Sequence, residues 1–419
     1  MDEELSCLPE TPNDKVQHIV RQHLSKFSQV AQQLLDRSYA SQNHAFHGDW
    51  KELCDQFQKA IEFMRPGCVL ATPNTEKVVI NIDVSDDDEA SHRSYSITPK
   101  RSRDADSESP VAKRHRQNLF TTPNRTVSHR DANFSGNEIK REVGQNKLAN
   151  PHVHSVGYSR IKQSEFGPFY NKYLDIGWRA LSLIEIRQQI AIQGLAGVPE
   201  FVNHKVRQNF ALNSINPWKY PLETFIDNTF DLLRSALVSA LGKILGSYEQ
   251  TSFFRTAKQI LENFLKQQEA EQRAISMAFY ASESVELFTV NEEDFLRHKA
   301  EALELLKDQR RKLRVISYAE KHFQKKGKPT DQAAYEEFKT KVTDAQLGPD
   351  TFDRELEVAS YIRGYYTTAR LRFVDSVCAN MNARYFRKIK TDVVYLLENE
   401  LGLDRGDGKS YSQILVVSN

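Results

Sequence analysis

The sequence predicts an all-α fold: an elongated antiparallel helical bundle that carries one long disordered insert. Residues 352–401 contain no proline and a single glycine, Gly364, and their apolar residues recur at steps of mostly three or four. This spacing is the period of an α-helix with one apolar face. Residues 66–155 hold six of the chain's fourteen prolines and only three aromatic residues. Such a segment cannot offset the entropy of ordering, about 1–2 kcal/mol per residue, so we expect it to be disordered.

The long helix near the end of the sequence needs partners. At 1.5 Å per residue it would extend over roughly 70 Å. Left uncovered, its apolar face would form a large exposed patch, so the rest of the chain must supply antiparallel helices that cover it. The residues of this face are Ile362, Tyr366, Ala369, Phe373, Val377, Met381, Tyr385, Ile389, Val393, Leu396 and Leu397.

Earlier segments show the same helical spacing, and none shows the alternation typical of β-strands. The second helix of the first segment is expected to continue beyond the insert, so that the insert loops out of one interrupted helix. We divide the chain into a disordered tail (1–12), two helices (13–64), the disordered insert (65–155), further helices (156–323), a basic linker (324–351), the long helix (352–402) and a loose tail (403–419).

Composition and cysteine usage limit the cellular location. The formal net charge is +1, so the charge of the whole chain predicts no partner. The four cysteines have neither zinc-ligand spacing nor the pattern of a disulfide framework, which favours a reducing compartment. No run of about 18 apolar residues is present, and the acidic start does not look like a secretory signal. We expect a cytoplasmic protein, membrane-associated or, as the alternative, nuclear.

Sequence motifs for catalysis are missing. The glycines do not fall in GxxxxGK[ST] or GxGxxG spacing, and no Ser, His and Asp pattern stands out. We therefore expect no catalytic residues, no cofactor, no bound metal and no nucleic-acid partner.

The insert contains short signals for partner binding and modification. An apolar run with Val78, Val79, Ile80 and Ile82 precedes an acidic stretch, 85–89. Such a run could add as a strand to the edge of a sheet on a partner, and it resembles a SUMO-interacting motif. Lys140, within Ile-Lys-Arg-Glu, matches the pattern of a SUMO acceptor site. The competing interpretation is ordinary loop composition.

Two basic clusters in the insert resemble a bipartite nuclear-import signal, because paired flexible cations suit acidic receptor grooves. The competing interpretation is a solvated run of charge. The clusters consist of Lys100, Arg101 and Arg103, and of Lys113, Arg114 and Arg116.

A further basic cluster, with Lys321, Lys325, Lys326 and Lys328, lies where two long helices are expected to turn back. At such a tip the lysines could touch an anionic membrane or another partner, at about 1 kcal/mol per lysine near a charged surface. A solvated turn accounts for them equally well.

Several segments, taken in order, resemble a known family. They are, first, Ile186–Ile190 with Gly194 and Gly197–Phe201; second, Pro217–Trp218 with Pro221–Leu222 and Phe225–Asp227; third, Phe288–Phe295; and last, Tyr361–Asp375. The first three resemble the middle region, or stalk, of dynamin-like large GTPases of the Mx and dynamin type, and the last resembles their GTPase effector region. Residues 13–64 are similar to the first stalk helix.

The resemblance implies a stalk that associates through its flanks and end loops into dimers, rings or helices. The turn with Gly194, Gly197, Val198, Pro199 and Phe201 is the candidate assembly loop, although these residues could also merely close a turn. The implied partners are a second copy of the chain and a full-length dynamin-like GTPase.

The family's GTPase domain has no counterpart among the 419 residues, so three functions stay open. The first is a non-catalytic stalk and effector-region protein that self-assembles and associates with dynamin-like GTPases at membranes. The second is a piece of a full GTPase that remodels membranes, which the upstream reading frame would reveal. The third is a nuclear SUMO-linked scaffold that works through the insert, which deleting 66–155 would test.

Overall fold

The computed structural model describes residues 12–36, 44–70, 78–80, 163–171, 180–194, 202–326 and 332–402. All of these residues belong to one compact unit. Helices dominate this part of the chain, which confirms the predicted helical class, and a small sheet accompanies them.

The helices and strands follow one another in this order: α1 (Pro12–Leu35), α2 (His44–Phe63), β1 (Gly67–Leu70), β2 (Val78–Ile80), α3 (Gln163–Phe166), β3 (Ala180–Ser182), α4 (Leu183–Gln193), α5 (His204–Ile215), α6 (Lys219–Leu245), α7 (Ser252–Val285), α8 (Glu292–Lys326), α9 (Gln332–Lys341), α10 (Asp344–Leu347), α11 (Asp353–Asn380) and α12 (Arg387–Glu400). Short 3₁₀ turns lie at Gly167–Phe169, Asn216–Trp218 and Gly246–Tyr248, and a π-helical segment, Met381–Phe386, joins α11 to α12.

Helix α11 lies at the centre of the packing. No residue between Glu355 and Arg370 is exposed. The predicted long helix is therefore confirmed, but the single apolar face is wrong for its first half, which is buried on all sides. The physical reason is that α2, α5, α7 and α8 all pack against it.

Three buried hydroxyls of α11 are satisfied within the helix. The hydroxyls of Ser360, Thr367 and Thr368 donate to backbone carbonyls three or four residues earlier, over 2.9–3.1 Å. A buried hydroxyl without a partner would be costly, and this bonding removes that cost. A helix with a mixed composition can therefore be buried all round.

Helix α8 runs antiparallel to α11. Lys299 pairs with Glu357, and Lys307 pairs with Asp353, each over 3.1 Å, so the residue numbers rise on one helix as they fall on the other. Gly364 permits this approach: a Cβ atom at Gly364 would lie 2.7 Å from the backbone nitrogen of Lys299. Any larger side chain would push the two helices apart, which explains why this residue is glycine.

Helix α7 runs antiparallel to the long helix on another side. Gln272 donates to Asn380 over 2.8 Å, and Arg372 pairs with Glu283 over 2.6 Å. Helix α6 in turn runs antiparallel to α7, because Arg234 pairs with Glu269 and Asp227 with Arg273.

The π-helical segment has a cause that can be read in the sequence. Every fourth residue from Ala369 to Leu397 is buried. In an α-helix of 3.6 residues per turn, each step of four moves the buried line about 40° around the axis. The wider turn at Met381–Phe386 takes up part of this rotation and keeps the buried line facing the same neighbours.

The flanks of the insert meet in a sheet, and the predicted interrupted helix is wrong. Strand β1 lies between β2, which is antiparallel to it, and β3, which is parallel to it. Pro66 and Gly67 end α2, and the apolar run that follows pairs in this sheet, with Cys68 and Leu70 fully buried. The insert predicted at 65–155 therefore includes strand residues 67–70 and 78–80.

Two further boundaries differ from the prediction. Residues 180–182, expected in a helix, form β3, and α4 begins after Ser182, whose hydroxyl accepts from the Glu185 amide. The linker at 324–351 contains α9 and α10. The terminal segments 1–11 and 403–419, predicted to be loose, lie outside the described residues.

Met381→Asp tests whether the buried line carries stability. Met381 is fully buried, so the substitution places an unpaired carboxylate in the core. We expect unfolding, or a loss of about 4 kcal/mol or more, in urea denaturation followed by circular dichroism. Ala383→Asp adds the same charge at an exposed position and should cost less than about 1 kcal/mol. Equal midpoints for the two variants would contradict the burial of this line.

Candidate functional site

A buried hydrogen-bonded cluster, the aromatic anchor, ties α11 to the helix that leads into the insert. The Trp218 indole donates to the Tyr366 hydroxyl over 2.8 Å, and that hydroxyl donates to the carbonyl of Ile61 over 2.6 Å. The Trp218 ring also stacks on Phe373, with 5.1 Å between centroids. Every polar group of this chain of contacts has a partner, as buried polar groups require.

Two arginines of α11 extend the aromatic anchor to the first residues after α2. The Arg363 guanidinium donates to the carbonyl of Pro66. Arg370, almost fully buried, pairs with Glu62 over 2.8 Å. Removing one partner of such a pair would leave a buried charge, so the end of α2 and the start of β1 are firmly held against α11.

A second feature is the loop between α7 and α8, residues 286–291. The Tyr365 hydroxyl accepts from the amide of Phe288 over 3.0 Å and donates to its carbonyl over 3.3 Å. Burial raises the pKa of Tyr365 above its usual value, so the hydroxyl keeps its proton for this contact.

Arg372, about two turns further along α11, holds the same loop. Its guanidinium makes two bonds to the Glu283 carboxylate, of 2.7 and 2.6 Å, and one of 3.1 Å to the carbonyl of Phe288. The bond to Glu283 raises the pKa of Arg372. A bidentate ion pair fixes the orientation of the arginine side chain, so Arg372 holds the backbone of the loop in place.

The loop backbone is held, but its apolar side chains face solvent. Val285 is 72% exposed, Phe288 70% and Val290 85%. We call these three residues the α7–α8 loop surface. Exposed carboxylates of Glu286, Glu292 and Glu293 surround it in the sequence. An exposed apolar group with a polar rim on a fixed backbone is typical of a protein-interaction site.

The start of α11 is fixed by a third contact, made by α4. The Arg187 guanidinium lies over the Phe352 ring at 3.6 Å and pairs with Glu355 over 2.7 Å. Arg310 of α8 lies over the same ring, at 4.8 Å. Phe352 therefore joins α4 and α8 to the first turn of α11 through cation–π contacts.

The candidate assembly loop lies partly within the described chain. Gly194 follows α4 in an extended conformation, and Gly197, Val198, Pro199 and Phe201 lie outside the described residues. Asn203 closes the turn: its amide donates to the carbonyl of Gln193 over 3.4 Å, and its oxygen accepts from the Lys205 amide. The described residues therefore include both ends of the turn, at Gly194 and Asn203.

The other predicted residues are dispersed. Lys321 is exposed, Lys325 and Lys326 belong to the last turn of α8, and Lys328 lies outside the described residues. Val78, Val79 and Ile80 form β2 at an edge of the sheet, whereas Ile82 lies outside the described residues. The SUMO acceptor Lys140 lies outside them too, as do the import clusters Lys100, Arg101, Arg103, Lys113, Arg114 and Arg116.

Within the described ranges, no group of three or more His, Cys, Asp or Glu side chains is placed to hold a metal ion. The same part of the chain has no helix that is long and apolar enough to cross a membrane. No protein-family model, curated protein or solved structure matches the chain.

Tyr366→Phe tests the aromatic anchor. The change removes one oxygen and leaves the Trp218 indole N–H and the Ile61 carbonyl without their shared partner. We expect a loss of about 1–3 kcal/mol in the free energy of unfolding.

Tyr220→Phe is the matched control, because Tyr220 is 48% exposed and the same loss of a hydroxyl should cost less than about 0.5 kcal/mol there. A Tyr366→Phe variant as stable as the control would show that the buried contact contributes nothing.

Proposed function

We propose that this chain is a non-catalytic helical stalk of the dynamin type, an elongated bundle that assembles with copies of itself and with dynamin-like GTPases at membranes. The observation that carries the proposal is spatial: the separate segments on which the family resemblance rests meet one another on α11.

Three contacts join these segments. Trp218, from the second segment, bonds to Tyr366 in the effector-region segment. Phe288, from the third segment, bonds to Tyr365. Phe295, also from the third segment, packs edge-on against Tyr361 with 5.0 Å between ring centroids. Segments that resemble one family in order, and that also form one packed unit, support a common origin for them.

A stalk acts through its surface, and the α7–α8 loop surface is the best-defined assembly contact on the described chain. Interface energy concentrates in a few central aromatic or apolar residues surrounded by a polar rim, and Phe288 with Val290 fits that description. A phenylalanine buries about 150–250 Å², whereas a stable interface buries about 1,200–2,000 Å² in total. The loop would therefore anchor a larger contact along the neighbouring helices.

Sedimentation of the purified chain tests the proposal. We expect dimers or larger species at tens of micromolar, and we expect Phe288→Asp to weaken association at least tenfold, because it places a carboxylate in the centre of the contact. Only the Phe288 backbone bonds to Tyr365 and Arg372, so the variant should fold with an unchanged melting temperature.

Tyr395→Asp is the matched control. Tyr395 is 69% exposed on α12, so the substitution removes a similar apolar group and adds the same charge elsewhere. It should leave association unchanged. A wild-type chain that stays monomeric at tens of micromolar would contradict the assembly function. If the two variants associate equally strongly, the loop is not part of the contact.

A further inference from the structure

Two cysteines from distant parts of the sequence meet on adjacent helices. Cys54 lies on α2 and Cys378 on the last turns of α11, and the two side chains line the same surface cleft. Both are free and half-buried. Nothing in their spacing along the sequence indicates this pairing.

Aromatic contacts before and after Cys54 on α2 fix how α2 and α11 lie against each other at the two thiols. One turn before Cys54, the Trp50 ring packs on Phe386 with 5.1 Å between centroids. About one turn after it, Phe57 packs on Phe373 at 6.1 Å. The antiparallel helices are thus fixed at both ends of the pair. A disulfide forms only where the backbones already lie at bonding distance, and this arrangement keeps them near one another.

The thiols are also reachable from solvent. Both line an open surface cleft of about 570 Å³, together with His47, Lys51 and Asp375. The contrast is Cys68, which is fully buried in β1, where burial raises the pKa of its thiol to about 12. Access and a neighbouring thiol distinguish the pair in the cleft from an inert buried cysteine.

We propose that Cys54 and Cys378 are a redox modification site, at which a hydroperoxide converts the two thiols into a disulfide that links α2 to α11. In the first step the Cys54 sulfur attacks one peroxide oxygen and the O–O bond breaks. This gives a sulfenic acid and, with hydrogen peroxide, one water. In the second step the Cys378 sulfur attacks the Cys54 sulfur, and the S–O bond breaks with loss of a second water. The two thiols are oxidised by two electrons and the peroxide is reduced by two.

The order of the two steps follows from the surroundings of each sulfur. The hydrogen bond with Cys54, together with burial and the nearby carboxylates of Asp375 and Asp55, raises the pKa of the Cys378 thiol. Cys378 is therefore the less readily ionised thiol, and Cys54 is the one that reacts first with the peroxide. Lys51, one turn before Cys54, lines the same cleft.

The consequence is a covalent link between the helix that leads into the insert and the central helix. The link closes a loop that contains most of the chain, and cross-links that close long loops restrict the unfolded state most. This inference does not depend on the proposed function, because it concerns contacts within one chain.

Peptide mapping of the full chain tests the site. The protein is treated with hydrogen peroxide, or with a phosphine reductant as the control, then alkylated and digested with trypsin without reduction. Each of the four cysteines falls in a different tryptic peptide: Cys7 in 1–15, Cys54 in 52–59, Cys68 in 60–77 and Cys378 in 373–384. We expect peptide 52–59 to be linked to peptide 373–384 only after treatment with peroxide, and we expect reduction to break the link. The oxidised form should have a melting temperature several degrees higher than the reduced form.

Substitutions separate this site from other thiol chemistry. Cys54→Ser and Cys378→Ser should each abolish the linked peptide and the rise in melting temperature, whereas Cys68→Ala should keep both. If peroxide leaves 52–59 and 373–384 separate, with Cys54 alkylated or oxidised to a sulfinic acid, the proposal is wrong. A link from either cysteine to Cys7 or Cys68 would also overturn it.

Discussion

The burial of the first half of α11 on every side is the constraint on which the rest of the structure depends. From Glu355 to Arg370 every residue is buried or half-buried, so each neighbouring helix must supply a surface that fits this one. Fully burying a large apolar side chain contributes about 1.5–3 kcal/mol before entropy is subtracted, and such residues continue at every fourth position to Leu397. Gly364 then sets how closely α8 can approach.

Because α11 contacts several elements at once, it also fixes the positions of parts of the chain that are distant in sequence. On one side, Tyr366 and Arg363 hold the entry to the insert. One residue away, Tyr365 holds the backbone of the α7–α8 loop. The two features that we connect with partners and with oxidation, the loop surface and the cysteine pair, are therefore both positioned by the same helix.

The sequence predicted the elements whose signal is periodic and local. The long helices and their apolar positions, such as Met381 and Val393, were predicted correctly because apolar residues rarely keep helical spacing over such a length outside a helix. The all-round burial was missed because Thr367, Thr368 and Arg363 look like a polar face until their partners are known. The sheet was missed because strands of three or four residues are too short to show alternation.

The candidate site was harder to predict than the fold. The exposure of Phe288 and Val290 is set by tertiary contacts of their backbone, and a pattern of residue types does not contain it. The meeting of Cys54 with Cys378 likewise depends on how α2 and α11 pack.

Hydrogen exchange along α11 tests the central claim most directly, because it reports how far each backbone amide is protected by packing. The account predicts that amides between Glu355 and Arg370 exchange among the slowest in the protein, far more slowly than those of α9, a helix with no buried residue. Exchange in α11 as fast as in α9 would contradict the account, because a helix enclosed by its neighbours cannot open so readily.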